Sequence, residues 1–283
     1  MVVRNAYLSL DAGTRMWLTA RKDSYEPPLP LGSVLRGQTL GVVTASRHPD
    51  YQPGQLLRFR GDWADYSMLR PADGAYVEQV SWQLEIGEAK TGETVVVSAA
   101  SGVTGALAGQ IATLCGCRVV GITGSPVKAN WLTTTLGFDA AIDRSAQPDL
   151  GTALAAACPD GIDVYFENVG GAVLDAALDH MATYGRVAVC GLLLNYDKPA
   201  APAGPARFDQ ILMKRLTTTG FFSADWHWRG TEINRTLRPW YDAGRLRMRF
   251  DVTDGLEHTP EAYQRVFTGD KVGKALVRIS ELS

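Results

Sequence analysis

The chain has 283 residues, of which 46% are hydrophobic and 20% are charged, and its formal net charge at pH 7 is −2. A chain of this length and apolar content can bury a large core in one or two domains. The near-neutral charge, with no basic run, gives no reason to expect binding to nucleic acid or to an anionic membrane surface. No apolar stretch approaches the roughly 20 residues of a membrane span, and residues 1–5 lack a signal-peptide pattern, so we expect a cytoplasmic protein.

The first 86 residues predict a smaller, mostly β domain, because short alternating runs are separated by proline and glycine. Residues 40–46 and 55–60 are typical of short antiparallel strands. A different pattern begins at residue 94. The β-branched run 94–98 reads as a buried parallel strand, and the helix predicted after it places Leu107, Ile111 and Leu114 on one face.

Closely spaced glycines join this strand to this helix. The spacing is Ala100-x-Gly102-x-x-Gly105, so alanine occupies the first glycine position of the common dinucleotide-binding fingerprint. Glycines at this place let the backbone approach a pyrophosphate, whose charge is met by N–H groups at the helix start. An ordinary tight turn is the alternative, but the order of strand, glycines and helix favours a dinucleotide site.

The end of the second strand, predicted at 118–123, indicates which dinucleotide is bound. A site for NAD carries Asp or Glu there to bond the ribose 2′-hydroxyl, whereas residues 124–128 contain no carboxylate. Lys128 falls in the first turn of the next helix, and Arg144 follows the third strand at 140–143. We expect both cations to contact the 2′-phosphate of NADPH. The alternative is that both are solvated surface charges.

Strand and helix continue to alternate after the third strand. Residues 161–170 contain a strand, residues 171–181 a helix and residues 185–191 another strand. Five strands without a hairpin signal predict an α/β fold with a doubly wound parallel sheet. Asn168 and Gly191 end their strands at the edge where such sheets bind ligands, although a turn role explains them nearly as well.

The sequence offers no pattern for a metal site. Cys115 and Cys117 lack the spacing of a zinc knuckle, and no second pair is present to complete one. We expect reduced thiols in the nucleotide-binding domain. None of the histidines lies beside a cysteine, so we predict that no metal is bound; these are His48, His180, His227 and His258.

Several motifs together resemble one known family. Residues 93–100 with the glycines after them, 161–171, 189–191 and 273–274 are similar to those of medium-chain dehydrogenases/reductases. More narrowly, they resemble the zinc-free branch of leukotriene B4 dehydrogenase, prostaglandin reductase and double-bond reductases. The similarity covers most of the chain, since four further motifs match in the same order; they are residues 3–11, 35–37, 47–50 and 84–87.

This resemblance implies NADPH-dependent reduction of a carbon–carbon double bond conjugated to a carbonyl. It implies a Rossmann sheet at 87–245 and a truncated GroES-like substrate domain formed by residues 1–86 and 246–283. Lys128 matches the family's 2′-phosphate ligand, and Tyr196 matches a tyrosine that helps to stabilise the enolate. We also expect a homodimer that acts on a small molecule. The candidate cofactor-binding residues are Ala100, Gly102, Val103, Thr104, Gly105, Thr123, Gly124, Lys128, Arg144, Asn168, Gly191, Phe221 and Lys271.

The departures from the family concern mainly the substrate side. Only residues 67–83 fill a passage that is longer in the family, and Gly13 stands where the family has a substrate-facing tyrosine. Arg144 replaces a phosphate-binding tyrosine, which keeps that role plausible, and Lys271 replaces an asparagine. The resemblance therefore implies an intact cofactor half and a remodelled substrate half.

Two alternatives to the reductase remain open from the sequence. One is a repurposed reductase fold that catalyses a non-redox cyclisation, elimination or isomerisation in a biosynthetic pathway. The other is a non-catalytic protein that binds NADPH as a sensor. The loss of substrate-side sequence favours the repurposed fold, the intact phosphate-binding motifs weigh against it, and the sequence does not separate the sensor from the other two.

Overall fold

The computed structural model describes residues 1–19, 26–70, 89–147, 149–196, 198, 203–222, 225 and 229–282. The chain divides into two compact units, which are Met1–Val77 with Arg249–Ser283 and Glu78–Met248. The predicted domain boundary between residues 86 and 87 lies outside the described residues, as does much of the passage at 67–83. The predicted boundary between residues 245 and 246 stays a prediction.

The helices and strands of the described residues follow in chain order. The strands are β1 (Val2–Ser9), β2 (Arg36–Ala45), β3 (Leu56–Asp62), β4 (Tyr66–Met68), β5 (Thr94–Val97), β6 (Arg118–Thr123), β7 (Ala140–Asp143), β8 (Ile162–Glu167), β9 (Met181–Val189), β10 (Thr217–Gly220), β11 (Phe250–Asp254) and β12 (Lys274–Arg278). The α-helices are α1 (Val103–Leu114), α2 (Pro126–Thr134), α3 (Leu150–Ala157), α4 (Gly171–His180), α5 (Asp209–Met213), α6 (Gly230–Asp242) and α7 (Thr259–Thr268).

The first unit is built on a mostly antiparallel sheet with the order β11-β12-β1-β2-β3, and β4 also pairs with β1. The predicted antiparallel pair is confirmed, since β2 runs antiparallel to β3. Alternate residues of β2 are buried, as expected for a strand with one face on a core. Leu8 of β1 and Val277 of β12 pack with Tyr263 and Val266 of α7.

The second unit is a six-stranded parallel sheet with the order β10-β9-β8-β5-β6-β7. The doubly wound α/β prediction is therefore confirmed, and β6 and β7 have the predicted bounds. The chain runs outward from β5 through β6 to β7 and then returns to β8 on the other side of β5. This reversal creates a crevice at the carboxyl ends of β5 and β8, where doubly wound folds bind ligands.

Two strands differ from the sequence-based prediction. β9 begins at Met181 rather than at residue 185, because Met181 already pairs with Ile162 before a register shift interrupts the ladder. β10 is an additional sixth strand of the sheet. Its residues Thr217–Gly220 are all exposed and carry no apolar alternation, so nothing in the sequence marks them as a strand.

The face of α1 that the sequence predicts as apolar is confirmed for two of its three residues. Leu107 and Ile111 pack against Ile233 and Leu237 of α6, whereas Leu114 is half-buried outside this cluster. In the described part of the chain, no helix combines the length and the apolar character that crossing a membrane would require.

Candidate functional site

The turn between β5 and α1 brings backbone atoms into close contact. Ala99 adopts a φ of 47°, and its carbonyl oxygen accepts a hydrogen bond of 2.9 Å from the amide of Gly102. A Cβ atom on Gly105 would lie 2.7 Å from this same oxygen and 2.9 Å from the Cα of Ala100, so no larger residue fits. The amides of residues 103–105 open α1 without intrahelical partners, and such amides form a binding site for a phosphate.

Gly121 explains why alanine is accepted at the first fingerprint position. Ala100 is fully buried. A Cβ atom on Gly121 of β6 would lie 2.9 Å from the Cβ of Ala100 and 2.6 Å from a methyl group of Leu132. The first glycine of the fingerprint usually avoids a clash by having no side chain. Here Gly121 on the neighbouring strand has none, and this leaves room for the methyl group of Ala100. The sequence analysis missed Gly121, although a glycine inside a strand pattern is a known signal of close packing.

The carboxyl ends of β6 and β7 come together at the edge predicted to hold the adenosine ribose. Thr123 ends β6, and its hydroxyl group lies 3.0 Å from that of Ser101 in the β5–α1 turn. The amide of Arg144 donates a hydrogen bond of 3.0 Å to the Thr123 carbonyl oxygen. A Cβ atom on Gly124 would lie 3.8 Å from Nε of Arg144, so this guanidinium covers the exposed backbone of Gly124.

Lys128 lies in the first turn of α2, as the sequence predicts. The side chain of Ser125 caps this helix by accepting a hydrogen bond of 3.4 Å from the Lys128 amide. The first turn of α2 contains no acidic residue. The nearby carboxylate of Asp143 uses one oxygen to accept hydrogen bonds from the amide and hydroxyl groups of Ser145. Lys128 and Arg144 therefore follow the ends of two neighbouring strands, which suits a phosphate dianion.

Asn168 and Gly191 lie at the carboxyl ends of β8, which is beside β5, and of β9, which is the next strand beyond β8. The amide of Asn168 donates to Oγ of Ser98 and its side-chain Nδ2 donates to the Ser98 carbonyl oxygen, both at 2.7 Å. The amide of Gly191 donates to the carbonyl oxygen of Glu167 at 3.0 Å. These contacts join three strand ends at the crevice of the sheet.

The hydroxyl group of Tyr196 packs directly on Gly191. A Cβ atom on Gly191 would lie 2.8 Å from this oxygen, which also accepts a hydrogen bond of 3.2 Å from the amide of Leu192. Burial raises the pKa of the Tyr196 hydroxyl above its ordinary value, although the Leu192 contact opposes the rise. The group therefore stays protonated at neutral pH. Among the described residues this oxygen accepts a hydrogen bond and the group donates none, so its hydrogen can be given to an acceptor on a ligand.

Two further predicted cofactor residues make contacts within their own units. Phe221 follows β10 at the carboxyl edge of the parallel sheet, where its amide donates to the Val189 carbonyl oxygen at 3.4 Å and its half-buried ring lies 6.0 Å from that of Phe166. Lys271 belongs to the first unit, where its Nζ donates a hydrogen bond of 2.8 Å to the Gly273 carbonyl oxygen. The contacts of both residues within their own units are structural, and their contact with a cofactor stays a prediction.

Ser98 and Glu167 are two further residues of this site that the sequence analysis missed. Both side chains are buried, and Oγ of Ser98 donates to Oε1 of Glu167 at 3.1 Å. They are 69 positions apart in the chain, so no local spacing connects them. The only available signal is that each stands at the carboxyl end of a predicted parallel strand.

Among the described residues, no group of three or more His, Cys, Asp or Glu side chains is arranged to hold a metal ion. His227 lies outside these residues. The thiols are free, and burial raises the pKa of Cys158 to about 11 and of Cys190 to about 12. Neither thiol is therefore a reactive thiolate at neutral pH.

Comparison with known proteins identifies both halves of the chain. Residues 1–80 match a family model described as the N-terminal domain of oxidoreductase, and residues 103–236 match one described as zinc-binding dehydrogenase. The NADPH-dependent curcumin reductase of Escherichia coli is 38% identical over 304 aligned positions, which cover 99% of this chain and 88% of that protein. The 2-alkenal reductase (NADP(+)-dependent) of Nicotiana tabacum is 35% identical over 99% of this chain and 87% of its own length.

Solved structures agree with these relatives. A crystal structure of CurA from Vibrio vulnificus in complex with NADPH is 33% identical, with a TM-score of 0.90, and the match covers 99% of this chain and 90% of that one. The 304 positions aligned with curcumin reductase exceed the 283 residues of this chain by 21, so the relative carries internal residues that this chain lacks. With its parallel sheet, its separate β sheet and relatives matched along nearly its whole length, the chain belongs to the double-bond reductase branch of the medium-chain dehydrogenase/reductase family.

Proposed function

We propose that this chain is an NADPH-dependent reductase of a carbon–carbon double bond conjugated to a carbonyl group, as found in enones and enals. The observation that carries the proposal is the Tyr196 hydroxyl group, which is half-buried and protonated beside the strand ends of β8 and β9, and which donates no hydrogen bond to any described residue. The names of the curcumin and 2-alkenal reductases support the same substrate class.

The residues of the second unit fit NADPH. In the β5–α1 turn the missing side chain of Gly105 lets the start of α1 lie directly against the backbone of Ala99 and Ala100, which places the first amides of α1 at the strand end. We assign the diphosphate to the amides of residues 103–105 and the 2′-phosphate to Lys128 and Arg144. Thr123 and Gly124 would form the backbone beneath the adenosine ribose. Asn168 and Gly191 would line the nicotinamide end.

When bound, NADPH would supply a hydride to the β-carbon of the substrate, negative charge would develop on the carbonyl oxygen, and a proton from water would complete the saturated product at the α-carbon. Tyr196 is placed to donate a hydrogen bond to this oxygen. Such a donor stabilises the developing oxyanion by about 2.7–4 kcal/mol in the transition state. The Leu192 amide holds the phenol oxygen, and Gly191 provides the surface against which it packs. The chain thus contributes binding, orientation and charge stabilisation.

The test is product analysis with labelled cofactor. Purified protein is incubated with NADPH deuterated at C4 and a panel of alkenals, cyclic enones and curcumin. We expect one NADPH to be oxidised for each saturated product, with deuterium on the β-carbon. A rearranged product formed without NADPH consumption would instead establish the repurposed, non-redox activity. Tight NADPH binding with no turnover on any compound would favour the sensor.

We further propose that the protein is a homodimer that pairs through the edge of its parallel sheet. Among the described residues β10 pairs only with β9, and Thr217–Gly220 are exposed along their length. Just before this strand, Phe208, Leu212 and Met213 are 65%, 73% and 61% exposed. An unpaired edge beside apolar side chains suits a second copy of the chain. Light scattering should give twice the chain mass of 30.6 kDa.

A cytoplasmic location is the remaining part of the proposal. It is supported by the free thiols of Cys115, Cys117, Cys158 and Cys190, because a reducing compartment keeps thiols in this state. Fractionation of the source cells, followed by immunoblotting, tests it. Recovery of the protein in the cytoplasmic fraction is expected.

A further inference from the structure

Glu167 is the only acidic or basic residue that is fully buried in the described part of the chain. It is the last residue of β8, at the crevice between β8 and β5. A buried ionisable group is unfavourable unless hydrogen bonds compensate for its lost hydration. Its contacts therefore indicate what this carboxyl group does.

The carboxyl group closes the turn between β8 and α4. Its Oε1 atom accepts hydrogen bonds from the amides of Val169 and Gly170, the latter at 2.9 Å. Gly170 has a φ of 83°, a conformation that favours glycine. Two amides bound to one oxygen fix the direction of the backbone over residues 168–170. The carbonyl groups of this turn are fixed with it.

These carbonyl groups hold the segment that carries Tyr196. The Asn168 oxygen accepts a hydrogen bond from the Leu193 amide, and the Val169 oxygen accepts one from the Leu194 amide, both at 3.0 Å. Leu193–Asn195 form one turn of 3₁₀ helix that ends at Tyr196. The position of the Tyr196 side chain therefore depends on the turn that the Glu167 carboxyl group closes.

Ser98 provides a second connection from this carboxyl group to the same turn. Its hydroxyl group donates to Oε1 of Glu167 at 3.1 Å, and its oxygen accepts from the Asn168 amide at 2.7 Å. The other carboxyl oxygen, Oε2, and the Tyr165 hydroxyl group are both buried and meet no hydrogen-bond geometry with a described residue, but contact with this hydroxyl group opposes the rise that burial causes in the pKa of Glu167. In Glu167→Gln the amide nitrogen would replace Oε2, with the Tyr165 oxygen as its acceptor, and the acceptor at Oε1 would be kept.

We propose that Glu167 is a positioning residue for Tyr196, acting through the 168–170 turn and its carbonyl groups. The inference rests on the proposed role of Tyr196 as hydrogen-bond donor to the substrate. The β5–α1 turn contacts this carboxyl group only through Ser98, its first residue, whereas residues 99–105 are held by bonds among themselves and with β6. Loss of the carboxyl group should therefore lower kcat and leave NADPH affinity unchanged.

The experiment is a double-mutant cycle between Glu167→Leu and Tyr196→Phe, with kcat measured on a good enone and the NADPH Kd measured by calorimetry. If Glu167 acts through Tyr196, Glu167→Leu should lower kcat about tenfold alone and less than about twofold in the Tyr196→Phe background. The NADPH Kd should stay within about twofold throughout. Glu167→Gln, which keeps an acceptor at Oε1, should retain kcat within about threefold.

A matched control separates positioning from general destabilisation. Glu93→Leu breaks the ion pair with Arg186, which lies at the opposite end of the parallel sheet. Its effect on kcat should be the same in both backgrounds. Should Glu167→Leu not fold, Ser98→Ala replaces it in the cycle, and its effect on kcat should likewise vanish in the Tyr196→Phe background.

The outcomes distinguish this inference from the function on which it rests. If the effects of Glu167→Leu and Tyr196→Phe multiply independently, Glu167 does not act through Tyr196 and the inference is overturned. If Tyr196→Phe alone leaves kcat unchanged while the wild-type protein still reduces enones, the donor role of Tyr196 is wrong and the inference falls with it. Absence of enone reduction by the wild-type protein would contradict the proposed function itself.

Discussion

The two ends of the candidate site are built in different ways. At the β5–α1 turn the site depends on missing side chains, because a Cβ atom on Gly105 would collide with the backbone of Ala99 and Ala100. At the β8–α4 turn it depends on a side chain that is present, since the Glu167 carboxyl group binds two backbone amides and the hydroxyl group of Ser98.

This difference determines what each end tolerates. A site formed by backbone amides requires that no side chain blocks the approach of the ligand or of the neighbouring backbone. The residues that meet this requirement are close together in the chain, and they appear in the sequence as glycines. A site held by a buried carboxyl group needs partners from several strands, and these are brought together only by the fold. Substitutions at the two ends of the site should therefore differ in what they affect.

The largest effect is expected from Gly105→Val. The added side chain would overlap the backbone where α1 meets the diphosphate position, so NADPH binding should be abolished while the protein remains folded. Calorimetry measures the affinity, and circular dichroism checks the fold. Gly204→Val is the matched control, because a Cβ atom there would meet nothing within 4 Å. Unchanged NADPH affinity in a folded Gly105→Val protein would make Gly105 a packing residue only.

Tyr196→Phe tests the end of the site that depends on side chains. Losing one donor to the oxyanion should lower kcat on a good enone by roughly ten- to a thousandfold, with little change in NADPH affinity. Steady-state kinetics and calorimetry separate the two effects. Tyr184→Phe serves as the control, because Tyr184 is 69% exposed. An equal loss of kcat in both variants would remove the basis for assigning Tyr196.

The end of the site at the β5–α1 turn, which is formed by backbone, could largely be predicted from the sequence. β-branched runs and glycines mark β5, β6 and the start of α1, and the absence of a carboxylate at 124–128 points to the adenosine end. β10 could not be predicted in this way. Its three threonines and one glycine lie exposed at the sheet edge, where no buried face imposes an alternating pattern.

The end of the site at the β8–α4 turn, which depends on side chains, was predicted only in part. Asn168 and Gly191 could be placed because each ends a strand, and Tyr196 could be named only through the family resemblance. Glu167 and Ser98 also end predicted strands, but nothing in the sequence pairs them, since their hydrogen bond joins residues 69 positions apart. Nothing in the residue type distinguishes a buried glutamate from an exposed one. Hydrophobic periodicity indicates burial only over a run of residues, so it does not indicate the burial of a single residue at a strand end.

Lys128→Ala and Arg144→Ala should have moderate effects that are confined to the adenosine end. We expect NADPH to bind at least about tenfold more tightly than NADH, which corresponds to about 1.4 kcal/mol from the 2′-phosphate contacts. Each substitution should reduce this preference by weakening NADPH and leaving NADH unchanged. Lys90→Ala, another exposed lysine of the same unit, is the control. Equal affinity of the wild-type protein for both cofactors would contradict the assignment of these cations.

The smallest effect on the cofactor is expected from Ala100→Gly, which restores the usual first glycine of the fingerprint. The fully buried methyl group of Ala100 faces the space left by Gly121, so its removal leaves a small cavity. The free energy of unfolding should fall by about 1–2 kcal/mol, through the lost methyl burial and the greater freedom of the unfolded chain. Urea unfolding measures this change.

The NADPH affinity of Ala100→Gly should nevertheless stay within about twofold of wild type. The diphosphate is assigned to the amides of residues 103–105, and the contact that constrains their turn is made by the backbone of Ala99 and Gly102. Alanine at position 100 would then be a packing residue whose space is supplied by Gly121 on the neighbouring strand. A tenfold change in the NADPH Kd would instead show that the methyl group at position 100 shapes the phosphate site, and that this end too depends on side chains.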